Sequence, residues 1–187
     1  MVEVQRLSDK LTITEIGMLR LKALGLTDDQ IADTFDLALF TTKKTLGNAY
    51  DKLGVNSDDV PNNSMKVGLR AVLSLVDEGL IDPGEFAQEL NLDDLEKTVR
   101  KSEAHRRVLD CLVAEKGLHS SNREIAESVG IVEKTVKNSL NYTSDVLEIL
   151  GTGNRIQLAI GYLAVRPRLG LRSSPLFSGS QSINQSI

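Results

Sequence analysis

Two stretches of the chain, DDQIADTFDLALFTTKKTLGNAYDKLGV at 28–55 and NREIAESVGIVEKTVKNSLNYTSDVLEILG at 122–151, follow one plan: a short helical run, a turn, then a longer helical run. An internal repeat restricts the fold more than any residue count, because each copy must bury equivalent faces against equivalent neighbours. The flanks repeat as well. Thr12 or Thr14 can cap a first helix carrying Ile16, Leu19 and Ala23 that stops at Gly25, and Thr27 caps a second with Ile31, Ala32 and Phe35 inward. A third runs from about Phe40 to Leu53 and a fourth from Lys66 to Glu78, closed by Gly54 and Gly79. The order recurs from Ser102: a helix with Val108, Leu109 and Leu112, a short one after Ser121, a long one from Glu133 to Leu150, and a fourth from Arg155 to Val165.

Apolar residues fall at helical spacing throughout and β-branched alternation is scarce, so the expected fold is all-α: two tandem four-helix units. Residues 1–82 make the first, 83–101 an acidic linker, 102–166 the second, and 167–187 a tail expected to be disordered. Between the copies, residues 77–96 hold eight acids and no base. That stretch reads either as a solvated linker, with Phe86, Leu90, Leu92 and Leu95 making a short connecting helix, or as a DNA-mimicking or partner-binding segment.

Composition narrows the function classes. At 41% hydrophobic and 26% charged the chain is globular, and with 4% aromatics and no Trp its core must be aliphatic. The lone Cys111 forms no intrachain disulfide, and with His105 and His119 it gives no metal-ligand spacing, so neither metal nor cofactor is expected. MVEVQRLSDK has no apolar signal core and Ile156 to Val165 falls well short of a bilayer span, which points to the cytoplasm and away from a membrane. A net charge of −4 weighs against nucleic acid, but it divides into −7 over residues 1–100 and +3 over 101–187.

Each repeated core has the helix-turn-helix pattern, with an Ile-Ala pair (Ile31, Ala32; Ile125, Ala126) for close helix packing and Leu37 or Ile131 plugging the turn. LTITEIGMLRLKALGLTDDQIAD with KLGV, and REIAESVGIVEKTVKN with LGTGNRIQLA, resemble the LuxR/GerE-type DNA-binding domains of bacterial regulators over most of residues 10–165. The resemblance implies a third helix that enters the DNA major groove. In the second copy this singles out Lys134, Thr135, Lys137 and Asn138, with Asn141 and Arg155 in the same set; in the first it singles out Thr41, Lys43 and Lys44, then Asn48 and Lys52. Lysine meets phosphate or guanine, asparagine pairs with adenine, and threonine meets phosphate or a thymine methyl.

The departures from that pattern also inform. Leu39 and Phe40 stand where the family has polar residues, the second copy has three extra residues between Asn138 and Gly151, and the first has an insertion at 56–64. The resemblance makes the fourth helix a dimerisation element. The run carrying Ile156, Ile160, Tyr162 and Leu163 is apolar almost all round, so either the first copy's fourth helix, as an intrachain pseudo-dimer, or a second chain, as a homodimer, is expected to cover it.

No enzyme is expected. His105, Asp110 and Cys111 do not converge at helical spacing, Gly151-Thr152-Gly153 lacks the strand and lysine of a phosphate loop, and Asp28-Asp29 and Asp93-Asp94 sit where helix dipoles favour them. The expected function is a transcriptional regulator of bacterial, phage or plasmid origin that reads double-stranded DNA, the second copy contributing more. The rivals are a protein-interaction module with Leu39 and Phe40 facing a regulatory partner, and a sigma-like factor that binds RNA polymerase.

Overall fold

The computed structural model describes residues 10–55, 64–88, 90–114, 121–147, 149 and 155–171. Among them are ten α-helices, one 3-10 turn and no strand, so the chain is all-α. In chain order the helices are α1 (Ile13–Ala23), α2 (Asp28–Thr34), α3 (Leu39–Lys52), α4 (Ser64–Asp77) and α5 (Pro83–Phe86), then α6 (Leu92–Lys101), α7 (Glu103–Val113), α8 (Asn122–Val129), α9 (Glu133–Val146) and α10 (Arg155–Val165). The insertion at 56–63, His119, Gly151-Thr152-Gly153 and the tail from 172 lie outside the described residues.

Hydroxyl side chains start four of these helices. Thr12 Oγ1 accepts the Glu15 N–H while the Glu15 carboxylate accepts the Thr12 N–H at 2.7 Å, and Thr27 with Gln30 and Ser121 with Glu124 repeat the reciprocal cap. Ser102 accepts the His105 N–H at the start of α7. Each cap satisfies a backbone donor the helix itself cannot, worth about 1 kcal/mol.

The two helix pairs correspond residue for residue. Thr27, Asp36, Leu37, Leu46 and Leu53 fall on Ser121, Gly130, Ile131, Leu140 and Leu147 at one constant spacing. The backbone follows: Leu37 N–H donates to the Ala32 carbonyl at 2.9 Å and Ile131 N–H to the Ala126 carbonyl at 3.0 Å. Gly130 turns the chain at φ 74°, and Asp36 does so at φ 51°, a left-handed conformation that aspartate tolerates better than most residues. Both α3 and α9 have 14 residues.

The spacing predicts a second long helix reaching Leu150, but α9 ends at Val146. Leu147 caps it and is buried, as Leu53 caps α3 at the equivalent position. A Cβ on Gly161 would stand 3.0 Å from Leu147 Cδ1 and 3.2 Å from Leu90 Cδ1, so the bare glycine backbone admits both leucines.

One correspondence gives a stability prediction. Thr42 and Val136 occupy the same inward position, both fully buried, but the Thr42 hydroxyl finds no hydrogen-bond partner. Thr42→Val is expected to raise stability by about 1 kcal/mol, the desolvation cost of an unpaired hydroxyl, read as a higher urea midpoint at unchanged slope.

α10 is the common core of both halves. It packs on α1, α4 and α5 on one side and on α6, α7 and α9 on the other. Leu158, Ala159, Ile160, Tyr162 and Val165 are wholly buried, Ile156 nearly so, and Leu163 half-buried. The Tyr162 hydroxyl donates to Asp110 Oδ1 at 2.7 Å; burial, then that bond, push the phenol pKa well above its ordinary value. Ile156, Ile160 and Tyr162 are buried within the chain, and α4 is among the helices that pack on α10.

The acidic stretch is folded as well. Ile81, Ala87, Leu95 and Val99 lie in the core, and α5 and α6 pack directly on α10, so 83–101 is part of the body and not a solvated tether. Two of its acids meet bases from outside the stretch, Glu85 with Arg20 and Asp93 with Arg168, both at 3.0 Å, and two meet bases of α6 itself, Asp94 with Lys97 at 2.7 Å and Glu96 with Arg100 at 2.9 Å. Arg168 belongs to the 3-10 turn Arg166–Leu169, and its carbonyl accepts from Arg100 at 2.7 Å, so order extends past the boundary expected at 166.

Glu15 makes a second tie within the first copy. Its carboxylate, 3% exposed, takes Lys52 Nζ at 2.8 Å on both oxygens. Burial alone would raise its pKa, but the Lys52 ammonium and the Thr12 amide and hydroxyl outweigh that and hold it below the ordinary 4.5. A depressed folded-state pKa means stability that is present above 4.5 and lost as pH falls through the folded value. Glu15→Gln, which keeps the cap but not the charge, is expected to cost about 1 to 2 kcal/mol at pH 7 and to flatten the acid limb of a stability-versus-pH series.

Candidate nucleic-acid interface

The exposed face of α9 follows from what the helix buries. Val136, Ser139, Leu140, Thr143 and Ser144 face inward, which leaves Lys134, Lys137, Asn138 and Asn141 in solvent at i, i+3, i+4 and i+7. Thr135 is half-buried on the flank. Neither Lys134 nor Lys137 is held in an ion pair among the described residues, so both ammonium groups are free to meet an external anion. They sit in the first turns of the helix, whose unpaired N–H groups and dipole add positive potential. Glu133 and Asp145 lie at the two ends, exposed. A face of this kind offers two cations followed along the helix by two amides, able to hold a phosphate and to form paired hydrogen bonds with a base edge.

The first copy presents the same scaffold with other chemistry. Thr42, Leu46, Ala49 and Tyr50 face inward on α3, while Thr41, Lys43, Lys44 and Asn48 are exposed. Phe40, in the position of Lys134, is 79% exposed, and Leu39, in the position of Glu133, is half-buried. Lys43 and Lys44 hold no ion pair among the described residues.

Two residues of the expected set have intramolecular partners. Lys52 is engaged by Glu15, as above. Arg155 donates to Asn122 Oδ1 at 2.6 Å at the start of α8, and burial lowers its guanidinium pKa from the ordinary value. Lys52, its side chain still 37% exposed, ties the end of α3 to α1, and half-buried Arg155 ties the entrance of α10 to α8.

Beside the α9 face lies a groove that helical spacing alone does not reveal. It has a volume of about 460 Å3 and is lined by Lys97, Lys101, Ser102, His105, Tyr142 and Val146 among others. The Tyr142 ring stands edge-on to His105 at 5.5 Å, and His105 Nδ1 lies 2.8 Å from Ser102 Oγ. Burial pushes the imidazole pKa down.

His105 and Asp110 look to different partners, Ser102 and Tyr162, so the trio with Cys111 is not assembled into one centre. Among the described residues no group of three or more His, Cys, Asp or Glu is placed to hold a metal ion, and no helix is long and apolar enough to cross a membrane. No family model, curated protein or solved structure matches the chain.

Proposed function

We propose that the chain is a DNA-binding transcriptional regulator built from two tandem helix-turn-helix units of LuxR/GerE type, in which α9 reads duplex DNA and α3 contributes less. The observation that carries this reading is the outward row Lys134, Lys137, Asn138 and Asn141 on a helix presented by a tight turn, its lysines free of ion pairs among the described residues. Lysine and asparagine at successive turns of one helix face suit a major groove: lysine for phosphate or guanine, asparagine for the two hydrogen bonds of adenine. The same backbone plan in the first copy supports descent of both units from one reader.

The charge distribution sets how binding responds to salt. Neutralising even a few phosphates releases counterions, so the logarithm of the affinity falls linearly with log salt. A gel-shift series on genomic fragments at two salt concentrations tests the proposal. The expected result is a discrete complex on some fragments, strongly weakened at the higher salt; no complex, or one indifferent to salt, overturns it.

A further inference from the structure

We infer that the start of α3 is a docking surface for a protein segment with one large apolar anchor flanked by a pair of acidic residues, and that this partner, more than nucleic acid, is what α3 binds. Three observations carry this, and the pairing of α3 with α9 acts as an internal control. Turn, helix length and buried positions match in the two copies, so the backbone is the same and only the exposed chemistry has changed. Where α9 presents Glu133, Lys134 and Asn141, α3 presents Leu39, Phe40 and Gly47, so hydrogen-bonding groups have given way to apolar or absent side chains.

The second observation is exposure. Phe40 at 79% and Leu37 at 37% lie three residues apart around the turn, with half-buried Leu39 between them. A single exposed apolar residue is ordinary, but an exposed aromatic beside two leucines is what interface anchors are made of.

The third is charge. Lys43 and Lys44 follow Phe40 by three and four residues, hence one turn along the same side, and hold no ion pair among the described residues. Asp29 and Asp33 on α2 and Asp36 in the turn that leads into α3 are all exposed. A duplex carries a phosphate charge about every 1.7 Å along its axis, and acids on the elements next to α3 disfavour it there. A peptide can set its two acids over Lys43 and Lys44 and its anchor on Phe40 while leaving the aspartates to water.

The test uses the full chain and a random-peptide display library, with a duplex pool as the second probe. Selection is expected to enrich peptides that carry one Leu, Phe or Trp beside two acidic residues. By fluorescence anisotropy, Phe40→Glu and, separately, Lys43→Glu with Lys44→Glu should each weaken the enriched peptide about tenfold or more, with helical circular dichroism unchanged. Failure to enrich such a motif, or equal binding of the enriched peptide to both variants, overturns the inference. So does a loss of duplex affinity in Phe40→Glu as large as its loss of peptide affinity. Lys134→Glu with Lys137→Glu should leave peptide binding intact, so failure of α9 to read DNA would not be mistaken for failure of α3 to bind a peptide.

Discussion

Reversing the charge of Lys134 and Lys137 together is expected to lower affinity for the selected duplex by about 100- to 1,000-fold. Each contact of this kind is worth about 1 to 3 kcal/mol, so two lost together sum to about 2 to 6 kcal/mol, and the expected fold-change lies in the middle of that range. If both lysines meet phosphate, the slope of log affinity against log salt should also shrink by about 2. Both side chains are exposed, so the fold should be untouched and the circular dichroism spectrum unchanged. Asn138→Ala is expected to act differently: it should erase preference at one base position and leave the salt slope as it was. A uniform loss across all sequences in the lysine variant, with the site preference retained, would assign Lys134 and Lys137 to the backbone and leave base reading to the asparagines. Undiminished binding would remove α9 from the interface.

The largest effect on stability is expected at Ile160, wholly buried in α10. Ile160→Ala removes a buried side chain from the helix that packs on both halves of the chain, and should cost about 2 to 5 kcal/mol through lost transfer energy and the cavity left behind. For a chain of this size that lowers the melting temperature by roughly 5 to 15 °C. The form of the transition matters as much as its midpoint. Since α10 packs on α1, α4 and α5 as well as on α7 and α9, the wild type should melt once, and the variant should also melt once at a lower temperature. Two transitions, of which the substitution moves only one, would mean that the copies fold independently.

The helix starts were legible in the sequence because capping is local. A Thr or Ser followed three residues on by Glu or Gln states both halves of its own hydrogen-bond pair, and Thr12, Thr27 and Ser121 all do so. The exposed row on α9 was legible for a similar reason, since helical period alone assigns Val136 inward and Lys134 and Lys137 outward. What the sequence concealed depends on contacts between distant residues. Lys52 looks like any solvent lysine until Glu15, on another helix, is seen beneath it, and Arg155 looks like a phosphate ligand until Asn122 accepts its guanidinium. The seat of Leu147, at the end of α9, over Gly161 of α10 joins residues 14 apart in the chain, which no local rule contains. The segment 77–96 misled because its eight acids dominate a count of charge, whereas Leu92, Leu95 and Val99 carry the helical stripe that folds it down, and its partner bases lie elsewhere in the sequence.

Tandem readers strung on a loose tether can be cut apart, respaced or grafted one unit at a time. This chain should resist all three, because the last helix of the second copy is walled by the first copy and by the segment between them. Residues 102–171 expressed alone would expose the apolar girth of α10 to water and clump before they could report on DNA. Lengthening the connection near residue 89 would pull α5 and α6 from their seat. The two faces are therefore set at one fixed span, like the jaws of a caliper, and single side-chain changes, not dissection, are the way to ask what each face holds.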